Sequence, residues 1–378
     1  MSENTDPHVA SLFQPFALGP LALRNRIAMA PMTRCFSPGN IPGKDVADYY
    51  KSRTAGGVGL IITEGTVINH PQASAYPNVP AFYGKALDGW KVVVDEVHAA
   101  GGKIAPQIWH TGPSRRPGVE PNPELPGIGP SEVVVDGKVV VARATKQDID
   151  DMIGAFAQAA SDAKSLGFDA VEIHGAHEYL IDAFLWEKTN TRDDEYGGSV
   201  ENRTRFAVEI VKAVRAAVGK DSTIGFRFSQ WKQQDYHAKL AYNKADLAKI
   251  LLPISEAGVD IFHASVRRFW APEFESGPET LAQLTKQITG KAVITVGSAG
   301  LSYEFRGKPD ANEKDPFLNP DNVDEAALEL TAGNFDILAV GRALLNDPDW
   351  ANKVRTGERS KIIPYSDESL KSLVGSHL

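Results

Sequence analysis

The chain has a single cysteine, Cys35, among its 378 residues. That excludes a disulfide framework and any cysteine-ligated zinc or iron–sulfur site. Redox chemistry must then come from a bound organic cofactor, and a reducing, cytoplasmic setting is expected. No apolar run is long enough to cross a bilayer, and the start, Met1-Ser2-Glu3-Asn4-Thr5-Asp6, is polar and acidic, with no charged-then-apolar signal peptide. Positive charge is in deficit: 40 Lys and Arg against 48 Asp and Glu leave a net charge of −8, which argues against the basic face of a nucleic-acid binder. Two glycine signatures are also missing. No Gly-x-Gly-x-x-Gly turn follows the first strand, as a doubly wound sheet would normally show, and there is no Walker-type phosphate loop.

Short β-branched runs alternate with amphipathic helical stretches, at the spacing of repeated βα units. Strands are expected at residues 26–32, 59–66, 104–110, 170–174, 223–228, 261–264, 292–297 and 337–341. Helices are expected between them. One is 146–166, with Ile149, Met152, Ile153, Phe156, Ala159 and Ala163 at helical spacing; another is 200–218, striped by Phe206, Ile210, Val211 and Val214. Eight strands with crossover helices predict an α/β fold, a single closed (β/α)8 TIM barrel. Val-rich arms around Asp136-Gly137, over residues 132–141, predict a β-hairpin after the third strand that covers the catalytic face. The charged, Pro- and Gly-rich stretch 306–319 predicts a surface excursion after the seventh strand. Residues 11–358 are expected to make the barrel, with 1–10 and 359–378 as terminal extensions. Within the second extension, Ile362-Ile363-Pro364-Tyr365 is apolar enough to pack on the barrel.

Chemistry in such a barrel belongs at the carboxyl ends of the strands. The fourth ends in His174-Gly175-Ala176-His177-Glu178-Tyr179, which gathers two imidazoles and a phenol. Two donors for a developing oxyanion and one proton donor suit a reaction that delivers hydride to a carbon and a proton to its neighbour. A metal pair, or two satisfied core histidines, fits the same spacing. The other strand ends tilt the balance. Gly297-Ser298 and Gly341-Arg342 close strands seven and eight, where barrels hold phosphate on bare backbone N–H groups, and Arg342 adds a planar cation. Thr33 and Gln107 suit the polar edge of a flat heteroaromatic ring, Arg227 puts positive charge beside it, and Gly65 leaves space for a ring. Singly, each has a plain reading as a turn former, buried amide or ion-pair partner. Together, a phosphate tail and a flat ring with amide-like edges describe flavin mononucleotide (FMN).

Four runs carry a resemblance: Leu12-Phe13-Gln14-Pro15-Phe16, the stretch 24–34, Gln107-Ile108-Trp109-His110, and the most specific, 190–203, with Arg192, Asp194, Tyr196-Gly197-Gly198 and Arg203. Over roughly residues 12–350 the chain resembles the Old Yellow Enzyme family of FMN-dependent ene-reductases. The resemblance implies non-covalent FMN. It would place Thr33 near the flavin C4 carbonyl, Gln107 and Arg227 on the pyrimidine edge, Ala30, Pro31, Met32 and Gly65 along the ring, and Gly297, Ser298, Gly341 and Arg342 on the phosphate. It also implies that His174 and His177 bind the substrate's carbonyl or nitro oxygen and that Tyr179 protonates the α-carbon. NAD(P)H is the implied reductant, and the implied acceptor is an electrophilic alkene of the α,β-unsaturated carbonyl or nitro class. A monomer or homodimer is expected.

The departures are informative. Many relatives carry His-x-x-Asn where this chain has His174 and His177. Some carry a Cys where Thr33 stands, so Cys35, two positions on, is read as an inert thiol rather than that redox-tuning group. Relatives commonly have a Pro near Trp186-Glu187-Lys188, which predicts a different rim shape here. Arg192, Asp194 and Arg203 are read as loop bracing.

Other readings remain. An oxidative demethylase of methylated amines or betaines is the nearest. A metal-dependent lyase or hydrolase, with His174 and His177 as ligands and no metal expected otherwise, leaves Thr33, Gln107, Arg227 and Arg342 unexplained; a non-catalytic flavin binder is the remotest. Trp109 and Trp270 are candidates to contact substrate, with aromatic core packing as the alternative. Arg267 and Arg268, on the same loop as Trp270, suit the extra phosphate of NADPH, pairing with Glu273 and Glu275, or plain solvation.

Overall fold

The computed structural model describes residues 5–301 and 322–375; the 306–319 excursion lies outside them. Eight parallel strands close a barrel in chain order: β1 (Ile27–Met29), β2 (Leu60–Val67), β3 (Lys103–Trp109), β4 (Ala170–His174), β5 (Thr223–Ser229), β6 (Ile261–Ser265), β7 (Ala292–Val296) and β8 (Ile337–Val340), with β8 pairing back onto β1. All the expected strands are present. β1 is much shorter than expected, because Ala30 makes the last ladder bond, to the Val340 carbonyl at 2.9 Å, and Pro31 has no N–H to continue it.

The connecting helices are α1 (Lys44–Ala55), α2 (Ala86–Ala99), α3 (Lys146–Leu166), the short α4 (Leu180–Leu185), α5 (Val200–Val218), α6 (Lys244–Glu256), α7 (Leu281–Thr289) and α8 (Asn322–Thr331). α3 and α5 cover the expected residues. A capping box in which Thr145 and Asp148 bond each other's backbone starts α3, and Gly167 at φ 89° ends it. Ser199 accepts from the Asn202 N–H to start α5. Their apolar stripes are buried against the outer barrel wall.

A second apolar layer fills the barrel's interior, from Leu60, Ile62, Ile261, Ile294 and Ile337 together with the small Ala28, Ala30, Ala105 and Ala339. Strands Phe16–Leu18 and Leu21–Leu23 form an antiparallel hairpin that adds Leu21 and Leu23 to this layer. Alanines at the upper ends, Ala30 and Ala339, leave the mouth of the barrel open, and both face its cavity. The hairpin after β3 forms as expected, Val133–Val135 against Lys138–Arg143, with Asp136 and Gly137 both at positive φ. Val133, Val134, Val135 and Val139 are exposed, the hairpin is tied to the 190–194 loop through Arg192, and it contributes nothing to the cavity wall. The expected cover is therefore a flanking flap.

Candidate active site

The carboxyl ends of the strands surround a cavity of about 320 Å³. Of the residues assigned to it from sequence, Ala30, Pro31, Met32 and Thr33 line one side and His177 and Arg227 another, while Ser298, Gly341 and Arg342 close the far end. Gln107, Gly65, Gly297, His174, Tyr179 and Trp109 are not among its lining residues. Trp270 packs edge-on to Phe269, with ring centres 4.9 Å apart, and does not reach the cavity.

The His-His-Tyr segment is held in an unusual backbone. His177 and Glu178 both have positive φ, 65° and 66°, which costs a non-glycine residue energy unless its surroundings enforce it. Four bonds enforce it. Gly175 N–H donates to the Arg227 carbonyl at 2.8 Å, His177 N–H to Ser229 Oγ at 3.0 Å, and Glu178 N–H to Asp182 Oδ2 at 2.6 Å. The other Asp182 oxygen takes Lys232 Nζ at 2.7 Å. Gly175 must be glycine, since a Cβ there would lie 2.4 Å from the Phe226 ring.

This backbone brings the three side chains together. The His174 ring centre is 5.3 Å from that of His177 and 5.1 Å from that of Tyr179. Ala176 N–H donates to His174 Nδ1 at 3.3 Å, so a neutral ring carries its proton on Nε2. Burial pulls both imidazoles well below their ordinary pKa, with the Arg227 cation adding to the effect. His177 stacks on Trp231 at 4.3 Å, and its Nε2 lies 2.9 Å from Ser265 Oγ. The Tyr179 hydroxyl accepts from Gln233 Nε2 at 2.8 Å and lies 3.2 Å from the Tyr76 hydroxyl. Burial, and then Tyr76, push its pKa up, so the phenol stays protonated. Trp109 meets Tyr179 edge-on at 4.7 Å, and its indole fills the space beside Gly65, where a Cβ would lie 2.4 Å from the ring. The ring that Gly65 admits is thus Trp109's own.

Arg227 brings a positive charge to the cavity wall. Arg227 is buried, which draws its guanidinium down to about 10, still cationic near neutrality. Its Nε has no hydrogen-bond partner among the described residues, a buried donor that a heteroaromatic ligand's acceptor would satisfy. Gln107 Nε2 donates to Glu172 Oε1 at 2.7 Å, and Glu172 Oε2 meets His263 Nδ1 at 2.7 Å. At the far end Ser298 turns through φ 55°, braced by Asn322, whose Nδ2 donates to the Ser298 carbonyl at 2.9 Å. Gly297 allows the backbone after β6 to approach, because a Cβ would lie 2.7 Å from the Val266 carbonyl oxygen. At Gly341 a Cβ would meet nothing closer than 3.5 Å. Ser298, Gly341 and Arg342, with the apolar Ala30, Pro31, Met32 and Val296 of the same lining, fit a phosphate tail with a planar ring.

Several functional neighbours escape sequence reasoning. Trp231 and Ser265 lie just past or at the ends of β5 and β6, so a longer reading of those strands would have found them. Tyr76 and Gln233 sit on loops with no pattern to mark them. Tyr365 and Leu370 reach the cavity from the C-terminal segment. That segment is clasped by Arg34, which donates to the Ser369 and Ser372 carbonyls at 2.7 and 2.8 Å, and by Arg53, which bonds the Val374 carbonyl. Residues 362–375 therefore form part of the site's wall. Cys35 is half-buried, and burial followed by the Glu64 charge pushes its thiol up to about 11, in keeping with an inert group. Arg192 forks onto Asp194 at 2.9 and 2.6 Å, and Arg203 bonds the Leu185 carbonyl at 3.0 Å, which is loop bracing. Among the described residues no three His, Cys, Asp or Glu side chains group as a metal site requires. No helix among them is long and apolar enough to cross a membrane.

Comparison with known proteins gives the family. The chain is 42% identical over 370 residues to chanoclavine-I aldehyde reductase of Penicillium roqueforti, covering 94% of this chain and 92% of that one. It is 34% identical over 369 residues to the NADH oxidase of Thermoanaerobacter brockii, covering 94% of this chain but only 52% of the oxidase. It is 40% identical over 226 residues to rice 12-oxophytodienoate reductase 7, covering 56% of this chain and 57% of that one, so each of these two matches spans little more than half the relative's length. Morphinone reductase in complex with tetrahydroNAD superposes with a TM-score of 0.78 at 29% identity, covering 95% of this chain and 94% of that one. The NADH:flavin oxidoreductase / NADH oxidase profile matches residues 11–304. The chain belongs to the NADH:flavin oxidoreductase / NADH oxidase family, of Old Yellow Enzyme type, and its cofactor is FMN.

Proposed function

We propose that this protein is an ene-reductase, using NAD(P)H to reduce the activated C=C bond of α,β-unsaturated carbonyl or nitro compounds. The observation that carries the reading is the trio of His174, His177 and Tyr179: two neutral imidazoles and a protonated phenol converging beside one cavity. Relatives named as reductases of 12-oxophytodienoate and of chanoclavine-I aldehyde support a substrate bearing a carbonyl.

Bound FMN would supply the hydride acceptor for the nicotinamide and the hydride donor for the alkene β-carbon. His174 Nε2–H and the His177 ring polarise the carbonyl or nitro oxygen as charge builds on it. Because both rings are neutral they donate without carrying full charge into a buried site. Tyr179 gives its hydroxyl proton to the α-carbon, and Gln233 Nε2 then bonds the phenolate oxygen. Tyr76, 3.2 Å away, is placed to pass a proton back. Thr33, Gln107, Arg227, Ser298, Gly341 and Arg342 would hold the cofactor. Stopped-flow measurement of the two half-reactions tests this. In Tyr179→Phe, flavin reduction by NAD(P)H should proceed at the wild-type rate while reoxidation by cyclohexenone slows by about 10²–10⁴-fold, the usual worth of a positioned acid. Full alkene turnover in the variant, or efficient reduction of the wild-type flavin by methylated amines with no enone turnover, would refute the assignment.

A further inference from the structure

Below His174 on the inward face of β4 lies Glu172, only 2% exposed. A carboxylate at that depth is costly unless its charge is met. Here each oxygen takes one partner: Oε1 the Gln107 amide nitrogen at 2.7 Å, and Oε2 the His263 Nδ1 at 2.7 Å. Arg227, on the neighbouring strand, is a buried cation that acts on it after His263, and His263 Nε2 has no partner among the described residues. A neutral His263 with its proton on Nδ1 satisfies this pattern, leaving one anion, Glu172, set against one cation, Arg227.

Gln107 and Arg227 are the two side chains assigned to the pyrimidine edge of FMN, and Glu172 touches or charges both. An amide that donates through Nε2 to a fixed carboxylate cannot flip. Its carbonyl oxygen is then turned away from Glu172, available to a ring N–H. The cation of Arg227 is felt by the ring only after the adjacent anion is subtracted. We propose that Glu172 is a positioning residue of the flavin site, fixing the orientation of the Gln107 amide and offsetting the charge of Arg227 so as to set the flavin's reduction potential. This rests on the reading that Gln107 and Arg227 face the FMN pyrimidine edge.

The test is the midpoint potential of bound FMN in wild type and in Glu172→Gln, with affinities for oxidised and reduced FMN measured separately. Removing the anion should favour the reduced ring, which carries negative charge near Arg227. Reduced FMN is expected to gain about tenfold in affinity over oxidised FMN, a rise of about 30 mV for a two-electron couple. A Glu172 that merely supports the fold would weaken both forms alike, and an unchanged midpoint overturns the proposal. Because the fields of the two charges add, the same substitution in an Arg227→Met background, whose starting potential is lower, should raise it by a similar amount, and no shift there also overturns the proposal. Should Glu172→Gln alone fail to fold, the double variant, which strands no charge, is expected to unfold within a few degrees of Arg227→Met. A double variant that also fails to fold argues against charge pairing. Wild-type protein that takes up no FMN would sink the underlying reading instead, and that outcome is distinct from all of these.

Discussion

Lys232 Nζ lies 2.7 Å from Asp182 Oδ1, with both side chains fully buried. The pair does more than neutralise itself. Asp182 Oδ2 holds the Glu178 N–H, and the Lys232 backbone bridges to that of His177, so the ion pair fastens the two left-handed residues that aim the imidazole and the phenol.

Breaking one side of that pair strands a buried charge. Asp182→Asn should cost about 3–5 kcal/mol in chemical denaturation. Replacing both partners with apolar residues, as in Asp182→Leu with Lys232→Met, should cost less than the sum of the singles. A strictly additive result would show that the two charges act independently.

Ser265 Oγ stands between His177 Nε2 at 2.9 Å and an Arg227 terminal nitrogen at 3.3 Å. Ser265→Ala should therefore free the His177 ring while leaving the wall intact. A loss of about 1 kcal/mol, the net worth of one hydrogen bond, lowers kcat/KM for the alkene roughly fivefold. Flavin reduction by nicotinamide should be unaffected. Equal slowing of both half-reactions would place the serine in cofactor binding instead.

The pH profile of alkene reduction should be a broad plateau. Folded His174 and His177 have pKa values below that of a free imidazole, so they remain neutral donors as pH falls past about 6.5. Folded Tyr179 has a pKa above that of a free phenol, so it keeps its proton as pH rises past about 10. The oxidative half-reaction should thus be flat between these limits, with its acid limb below the lower one. A limb centred near 6.5, lost in His174→Gln, would show that an imidazole titrates there and acts as a cation.

Deleting residues 362–378 removes Tyr365 and Leu370 from the cavity wall. It also leaves the Arg34 and Arg53 donors that held the Ser369, Ser372 and Val374 carbonyls unpaired. A stranded buried donor costs about 1–3 kcal/mol. The truncated protein should retain barrel secondary structure by circular dichroism, melt earlier, and release FMN at least tenfold faster. Unchanged FMN affinity would reduce the tail to a surface appendage.

The eight strands, the bounds of α3 and α5, and the residues at the strand ends were all readable from the chain. Each depends on information local to a few neighbouring residues: a β-branched run, a helical stripe, the Thr145 cap, the Gly167 stop. Eight such strands in βα order, without the glycine turn of a doubly wound sheet, pointed to a closed barrel. The chemistry of the fourth strand end was equally legible, because the Gly-containing His174–Tyr179 segment concentrates its groups within six residues.

What the chain alone could not express was distance between segments far apart in sequence. Trp270 carries the same aromatic character as Trp231, yet only Trp231 stacks beneath His177, because the turn after β6 folds Trp270 back on Phe269. Gly65 makes way for Trp109, a closeness set by the pairing of β2 with β3. The hairpin stands aside from the cavity and the C-terminal segment enters it, since Arg34 and Arg53 find backbone carbonyls some 300 residues downstream. Local propensity and periodicity determined which elements exist and what they carry at their ends. Packing between elements, which satisfies buried donors and fills space with no regard for sequence separation, decided which of those groups meet.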